Sequence, residues 1–146
     1  MIIGIGSDLI DISRIEGTLE RFGDRFLARV FTDDERRRCD AKATRAASYA
    51  KRFAAKEAVW KALGEGMRVG IRWRELEVVN LRSGKPSLRL TGQAEERLND
   101  LMPENMSPRV DLSLSDEPPM AMAFVVISAE PAEWSQKRAP DCPGTD

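Results

Sequence analysis

The sequence predicts an α+β domain: a small antiparallel sheet packed with one long helix and several short ones. Three observations carry that expectation. Residues 42–64 are rich in Ala and Lys, and Ala46, Tyr49, Ala50, Phe53, Glu57 and Trp60 share one face at about 100° per residue. Residues 109–115 alternate Val110, Leu112 and Leu114 with Asp111 and Ser113, the period of a half-buried strand. Ser83-Gly84-Lys85-Pro86 lies between two extended runs, as a hairpin turn would.

The remaining elements follow in chain order. Met1 to Gly6 is apolar and β-branched and reads as a short buried strand, with Ser7 to Asp11 turning the chain. Ser13-x-x-Glu16 has the form of a capping box, although Asp11 could cap instead. Ile12, Ile15, Leu19 and Phe22 then form an amphipathic helical stripe. Thr32-Asp33-Asp34-Glu35 is a second capping box and opens a short helix to about Cys39. Gly64, Gly66 and Gly70 mark a loop after the long helix, and Ile71 to Leu81 reads as extended. Ser87 to Leu90 completes the hairpin, and Thr91 caps a helix running to about Leu101. Asp116 to Pro119 is a tight connection into an apolar strand, Met120 to Ser128. Residues 1–130 make one domain, while 131–146, rich in Pro, Ala, Glu and Lys, read as a disordered tail.

Composition narrows the chemistry. The chain has 146 residues, 42% hydrophobic and 32% charged, with 23 Lys+Arg against 24 Asp+Glu. That balance suits a globular protein large enough to bury a core. There is no apolar run long enough for a membrane span. No basic, then apolar, secretory leader opens the sequence, so a cytoplasmic location is expected. The absence of His removes the Ser-His-Asp triad and His-ligated zinc, and two Cys cannot make a disulfide framework. Any enzyme here is left with carboxylates, Lys and Arg, with or without a hard, oxygen-liganded metal. Residues 1–62 carry 13 Lys+Arg against 10 Asp+Glu, an excess of +3. This is too little for duplex nucleic acid but suits a compact acidic partner or a phosphorylated small molecule.

Two carboxylates stand out. Glu57 lies between Phe53 and Trp60 on the apolar face, where an isolated carboxylate is costly unless paired or bound to a metal. An internal ion pair with Lys61, one turn on, is the alternative. Asp8 follows the first strand and is either a helix N-cap or a rigidly held functional carboxylate. If Asp11 caps, Asp8 is left without a structural task. Two carboxylates suit Mg²⁺, which prefers one or two carboxylates plus water and substrate phosphates. Arg52, Lys56, Lys61 and Lys85 supply cations for phosphoryl transfer, or are solvated surface.

These residues fall into motifs that resemble a family. Gly4-Ile5-Gly6-Ser7-Asp8-Leu9-Ile10 with Arg14, and Arg52-Phe53-Ala54-Ala55-Lys56-Glu57-Ala58-Val59-Trp60-Lys61-Ala62, resemble the two signature motifs of the 4'-phosphopantetheinyl transferases. Gly64-x-Gly66 and Gly84-Lys85-Pro86 also match, and order and size resemble the small single-domain type that acts on acyl carrier protein. The resemblance runs from Met1 to about Ser128 and implies the 4'-phosphopantetheinyl transferase-like fold. It further implies transfer of phosphopantetheine from coenzyme A to a serine of apo-acyl carrier protein, releasing adenosine 3',5'-bisphosphate. Fatty-acid synthesis is the context it points to.

By the same resemblance, Asp8 and Glu57 hold Mg²⁺. Glu57, directly or through a metal-held water, takes the serine proton, and Lys61 stabilises the departing phosphate. Arg52, Lys56, Lys61, Gly64, Lys85 and Pro86 are the coenzyme A contacts, and the type is a homotrimer with sites between subunits. Arg14, Arg21 and Arg25, with Phe22 and Phe26, make a basic and apolar strip on the first helix, the carrier-recognising helix of the family. Asp116 stands where many members carry His. It either orients water or metal or begins a turn. A non-catalytic module binding acidic proteins through the arginine-rich helix is the competing reading; it requires no role for Glu57.

Overall fold

The computed structural model describes residues 1–64 and 70–138. Strand β1 (Ile2–Asp11) leads into α1 (Ile12–Phe22), α2 (Asp24–Val30), α3 (Asp33–Asp40) and the long α4 (Arg45–Leu63). A 3₁₀ turn (Trp73–Glu75) precedes β2 (Leu76–Asn80), β3 (Pro86–Leu90), α5 (Gly92–Asp100), β4 (Met106–Glu117), β5 (Met120–Pro131) and α6 (Ala132–Lys137). Three strands form an antiparallel sheet in the order β1-β5-β4, and β2-β3 form a separate hairpin.

The first strand is longer than expected. Ser7 to Asp11 do not turn; they pair in register with β5, from Ser7 opposite Phe124 to Asp11 opposite Met120. Asp8 therefore lies inside a strand. Asp11 is the N-cap of α1, accepting a hydrogen bond from the Ser13 amide at 2.9 Å. The arginine-bearing segment is also not one helix. Gly23 adopts φ +48°, a conformation that costs little only without a Cβ, and splits it into α1 and α2. The Thr32/Glu35 capping box forms at the start of α3 as the sequence predicts. At α5, Thr91 is the N-cap by position, but the capping bond comes from Glu75, whose Oε1 accepts from the Gln93 amide at 3.2 Å. Pro131 ends β5, and the residues after it begin with a short helix, α6, instead of an unstructured tail. Gly66 and the last eight residues of the expected tail lie outside the described residues.

Helix α4 is the core element. Of the predicted face, Tyr49 and Ala50 are fully buried while Ala46, Phe53, Glu57 and Trp60 are only half-buried, and Ala54, Ala55, Ala58 and Val59 beside them are also enclosed. A helix covered by β1 and β5 on one side and by α1, α3 and β2 on others is buried over most of its circumference, Arg52 and Lys56 included, so a single stripe understates it. Its alanines let the sheet approach closely. A Cβ on Gly6 would overlap the Ala58 carbonyl oxygen, and one on Gly4 the Ala62 carbonyl oxygen. Gly6→Ala should therefore cost about 3 kcal/mol by forcing β1 off α4. Urea unfolding measures this, and an unchanged midpoint would refute the close approach.

Candidate active site

The contact between β1 and α4 brings Asp8, Glu57 and Lys61 together. Glycines at positions 4 and 6 set β1 on the α4 backbone, so the next inward-leaning polar residue, Asp8, meets the C-terminal half of the helix. The Lys61 ammonium donates to the Ser7 carbonyl at 3.0 Å and to Asp8 Oδ1 at 3.2 Å. The ion pair of Lys61 is thus with Asp8 on the strand, and not with Glu57 on its own helix. The Asp8 side chain is 18% exposed and that of Lys61 55%, so the carboxylate is sheltered and the ammonium faces outward.

Glu57 is half-buried, and its carboxyl is held above the usual glutamate range. Burial is the main cause; the like charge of Asp8 adds to it, while Lys61 and Arg14 oppose. The like charge of Asp8 felt at Glu57 puts the two carboxylates in one site, and a cation between them would relieve the repulsion. No group of three or more Asp, Glu or Cys converges among the described residues. Two carboxylates fit Mg²⁺, which fills its remaining positions with water and substrate oxygens, and do not fit a closed structural metal site.

A second, basic half lies elsewhere on the same helix. From Arg52 to Glu57 the helix turns about 140° and rises about 7.5 Å, so the two side chains leave on different faces. Arg52 is 7% exposed, with its guanidinium donating to Ser48 Oγ at 3.1 Å and to Asn80 Oδ1 at 3.2 Å. Its Nε is buried without a hydrogen-bond partner, and no carboxylate among the described residues forms an ion pair with it. Arg52 is at the wall of an open groove of about 1020 Å³, lined also by Arg37, Arg38, Lys42, Lys51, Arg82, Gly84 and Pro86. Six of the lining side chains are cationic and none is a carboxylate. A fixed guanidinium with no counter-charge, in a basic groove, fits an anionic ligand.

Several expected site residues sit differently. Lys56 is fully buried, and its ammonium donates to Glu35 Oε1 at 2.8 Å, the Leu76 carbonyl at 2.8 Å and the Trp73 carbonyl at 3.1 Å. All three N–H groups are used, so Lys56 ties α4 to α3 and β2 and is not available to coenzyme A. Burial pulls its proton affinity down and Glu35 opposes that shift. Lys85 leans toward Asp111 on β4, at 3.4 Å, while its neighbours Gly84 and Pro86 line the groove. Gly64 is the C-cap of α4, at φ +79°. Phe26 is half-buried against Phe31 and Phe53, with ring centroids at 5.9 and 6.1 Å, so it belongs to the core edge and is not a free apolar anchor. Arg14, Arg21, Phe22 and Arg25 are exposed, and the Arg21 guanidinium sits over the Phe22 ring at 5.5 Å.

The sequence reading missed most of the groove. Arg37, Arg38, Lys42, Lys51, Asn80 and Arg82 come from three separated segments, and only the packing of α3 and β2 on α4 assembles them.

Comparison with known proteins places these features. Residues 4–105 match the family model of the 4'-phosphopantetheinyl transferase superfamily. A holo-[acyl-carrier-protein] synthase of Methylorubrum extorquens is 61% identical over 131 residues, covering 90% of this chain and 96% of that protein. The crystal structure of the holo-[acyl-carrier-protein] synthase of Neisseria meningitidis aligns with a TM-score of 0.76 at 35% identity, over 88% of this chain and 99% of that one. That of Helicobacter pylori, solved in complex with coenzyme A, aligns with a TM-score of 0.71 at 30% identity, over 85% of this chain and 99% of that one. With both motifs at the β1–α4 contact and the same fold around them, the chain belongs to the 4'-phosphopantetheinyl transferase superfamily.

Proposed function

We propose that this protein is a Mg²⁺-dependent holo-[acyl-carrier-protein] synthase. In this reading it transfers 4'-phosphopantetheine from coenzyme A to a serine of apo-acyl carrier protein in fatty-acid synthesis in the cytoplasm. The observation that carries the reading is the convergence of Asp8, Glu57 and Lys61 where β1 crosses α4. The coenzyme A complex of the relative from Helicobacter pylori supports the donor.

Asp8 and Glu57 would hold the Mg²⁺. When bound, the metal neutralises charge on the pyrophosphate oxygens of coenzyme A. Glu57 takes the proton from the carrier serine; its raised proton affinity brings it closer to the strength a general base needs. The serine oxygen bonds to the phosphorus that carries pantetheine, and the bond from that phosphorus to the bridging oxygen breaks. The electron pair leaves with adenosine 3',5'-bisphosphate, where the Lys61 ammonium meets the new charge. Arg52, with Gly84 and Pro86 beside it, would seat phosphates of coenzyme A in the basic groove.

The two half-sites leave α4 on different faces, which supports a homotrimer whose sites each combine two subunits. The outward face of the sheet carries exposed Ile5 (61%), Leu9 (61%), Met122 (44%) and Phe124 (43%), an apolar surface suited to such contacts. For the carrier, Arg21 and Phe22 combine a steering charge with an exposed apolar contact. Arg21→Glu should raise KM for the carrier by about tenfold at low salt and less at high salt, leaving kcat unchanged. An unchanged KM would remove Arg21 from the carrier surface.

The test of the function is the intact mass of an apo-acyl carrier protein after incubation with this protein, coenzyme A and Mg²⁺. The expected result is a gain of one phosphopantetheine, abolished by a chelator. A folded sample that adds nothing to the carrier would favour the binding module with no chemistry.

A further inference from the structure

We propose that Lys51 contacts a phosphate of the nucleotide end of coenzyme A, and that Asp116 is the positioning residue that holds it there. The proposal rests on the coenzyme A reading of the basic groove.

Lys51 precedes Arg52 in α4 and lines the same groove. Its ammonium is 3.0 Å from Asp116 Oδ1, with side-chain exposures of 30% and 31%. Both side chains are therefore partly covered, about two thirds of each being out of solvent. Asp116 comes from the end of β4, two residues after Leu114, and alternate residues of a strand share a face. Leu114 lines the groove, so Asp116 approaches the groove from its rim without being part of the lining.

This placement has a chemical consequence. A carboxylate inside an anion site would repel the ligand. A carboxylate at the rim that holds Lys51 by charge leaves its N–H groups to donate inward. Lysine has a long, flexible stem, and fixing it before the ligand arrives removes that ordering cost from binding. Arg52 shows the same arrangement one residue on: its guanidinium is held by the neutral Ser48 and Asn80, leaving its charge uncompensated. The wall of the groove thus carries two adjacent cations, one held by neutral partners and one held by a rim carboxylate.

The test is calorimetric titration of the full-length protein with adenosine 3',5'-bisphosphate, alongside steady-state kinetics for coenzyme A. Lys51→Met should weaken binding roughly tenfold, the size of one charge-assisted hydrogen bond, with KM for coenzyme A rising in parallel and kcat within about twofold. Asp116→Asn should weaken binding in the same direction, and adding it to Lys51→Met should cause no further loss, because Asp116 acts through Lys51. Lys51→Arg should restore most of the affinity. Unchanged affinity in Lys51→Met, additive losses in the double variant, or tighter binding in Asp116→Asn would each overturn the proposal. Failure of the unaltered protein to bind adenosine 3',5'-bisphosphate would overturn the coenzyme A reading of the groove itself, a result distinguishable from all of these.

Discussion

Glu57→Gln should abolish turnover while making the protein more stable. The substitution removes the proposed general base and one of the two carboxylates proposed to hold the metal, so kcat should fall by about 10³-fold or more. The gain in stability follows from the proton affinity of Glu57. Its carboxyl lies above the ordinary value of 4.5 in the folded protein, because it is partly buried beside Asp8. A group whose native pKa is raised binds protons more tightly in the folded state. Its favourable contribution is complete below the unfolded value and is lost as the pH rises through the native value. Above its native value Glu57 is therefore ionised at a cost to folding, which a neutral amide of the same shape avoids. In the presence of chelator, Tm of the variant should exceed that of the unaltered protein near pH 7, and the difference should shrink toward pH 4. A variant that is less stable at pH 7 would contradict the burial argument, and one that keeps its turnover would contradict the catalytic one.

Lys56→Met should destabilise the fold strongly without a specific effect on coenzyme A. The ammonium is fully buried, paired to Glu35 and bonded to two carbonyls. Glu35 is equally buried and also accepts from the Thr32 and Val78 amides. Removing the lysine leaves the Glu35 carboxylate enclosed without its counter-charge, which costs about 3–5 kcal/mol. That is a large share of the roughly 5–15 kcal/mol by which a domain of this kind is stable. The midpoint of urea unfolding should drop sharply, while KM for coenzyme A, measured on the folded fraction, should stay within about twofold. A raised KM in a variant of normal stability would instead return Lys56 to the substrate site.

The difference between Glu57 and Lys56 shows what the sequence made legible. Both sit in one motif, and their spacing from Arg52 and Lys61 was plain. Asp8 and Glu57 could be singled out because each was a carboxylate in a place that apolar periodicity or capping did not explain. Lys56 could not be sorted in the same way. Its partner, Glu35, lies 21 positions earlier and had already been explained as half of a capping box. A residue doing two tasks at once gives no sign of the second. The long helix, the hairpin and the last two strands were readable because each has its own period. The length of β1 was not, since Ser7 and Asp8 look like turn residues until the pairing with β5 is known. The split at Gly23 was likewise hidden, because the arginines on both sides continue a helical spacing. The basic groove is tertiary in origin: residues near positions 37–52 and 80–86 converge only after α3, α4 and the hairpin have packed.

The central claim is that Asp8 and Glu57 jointly hold one divalent cation at the contact between β1 and α4. The most direct measurement is Mn²⁺ binding followed by electron paramagnetic resonance, with coenzyme A present, on the unaltered protein and on Asp8→Ala and Glu57→Ala. Circular dichroism on the same samples checks that each variant is folded. The account predicts one bound Mn²⁺ per subunit, displaced by Mg²⁺, and loss of most of that binding in either folded variant. Undiminished Mn²⁺ binding in either variant would contradict it.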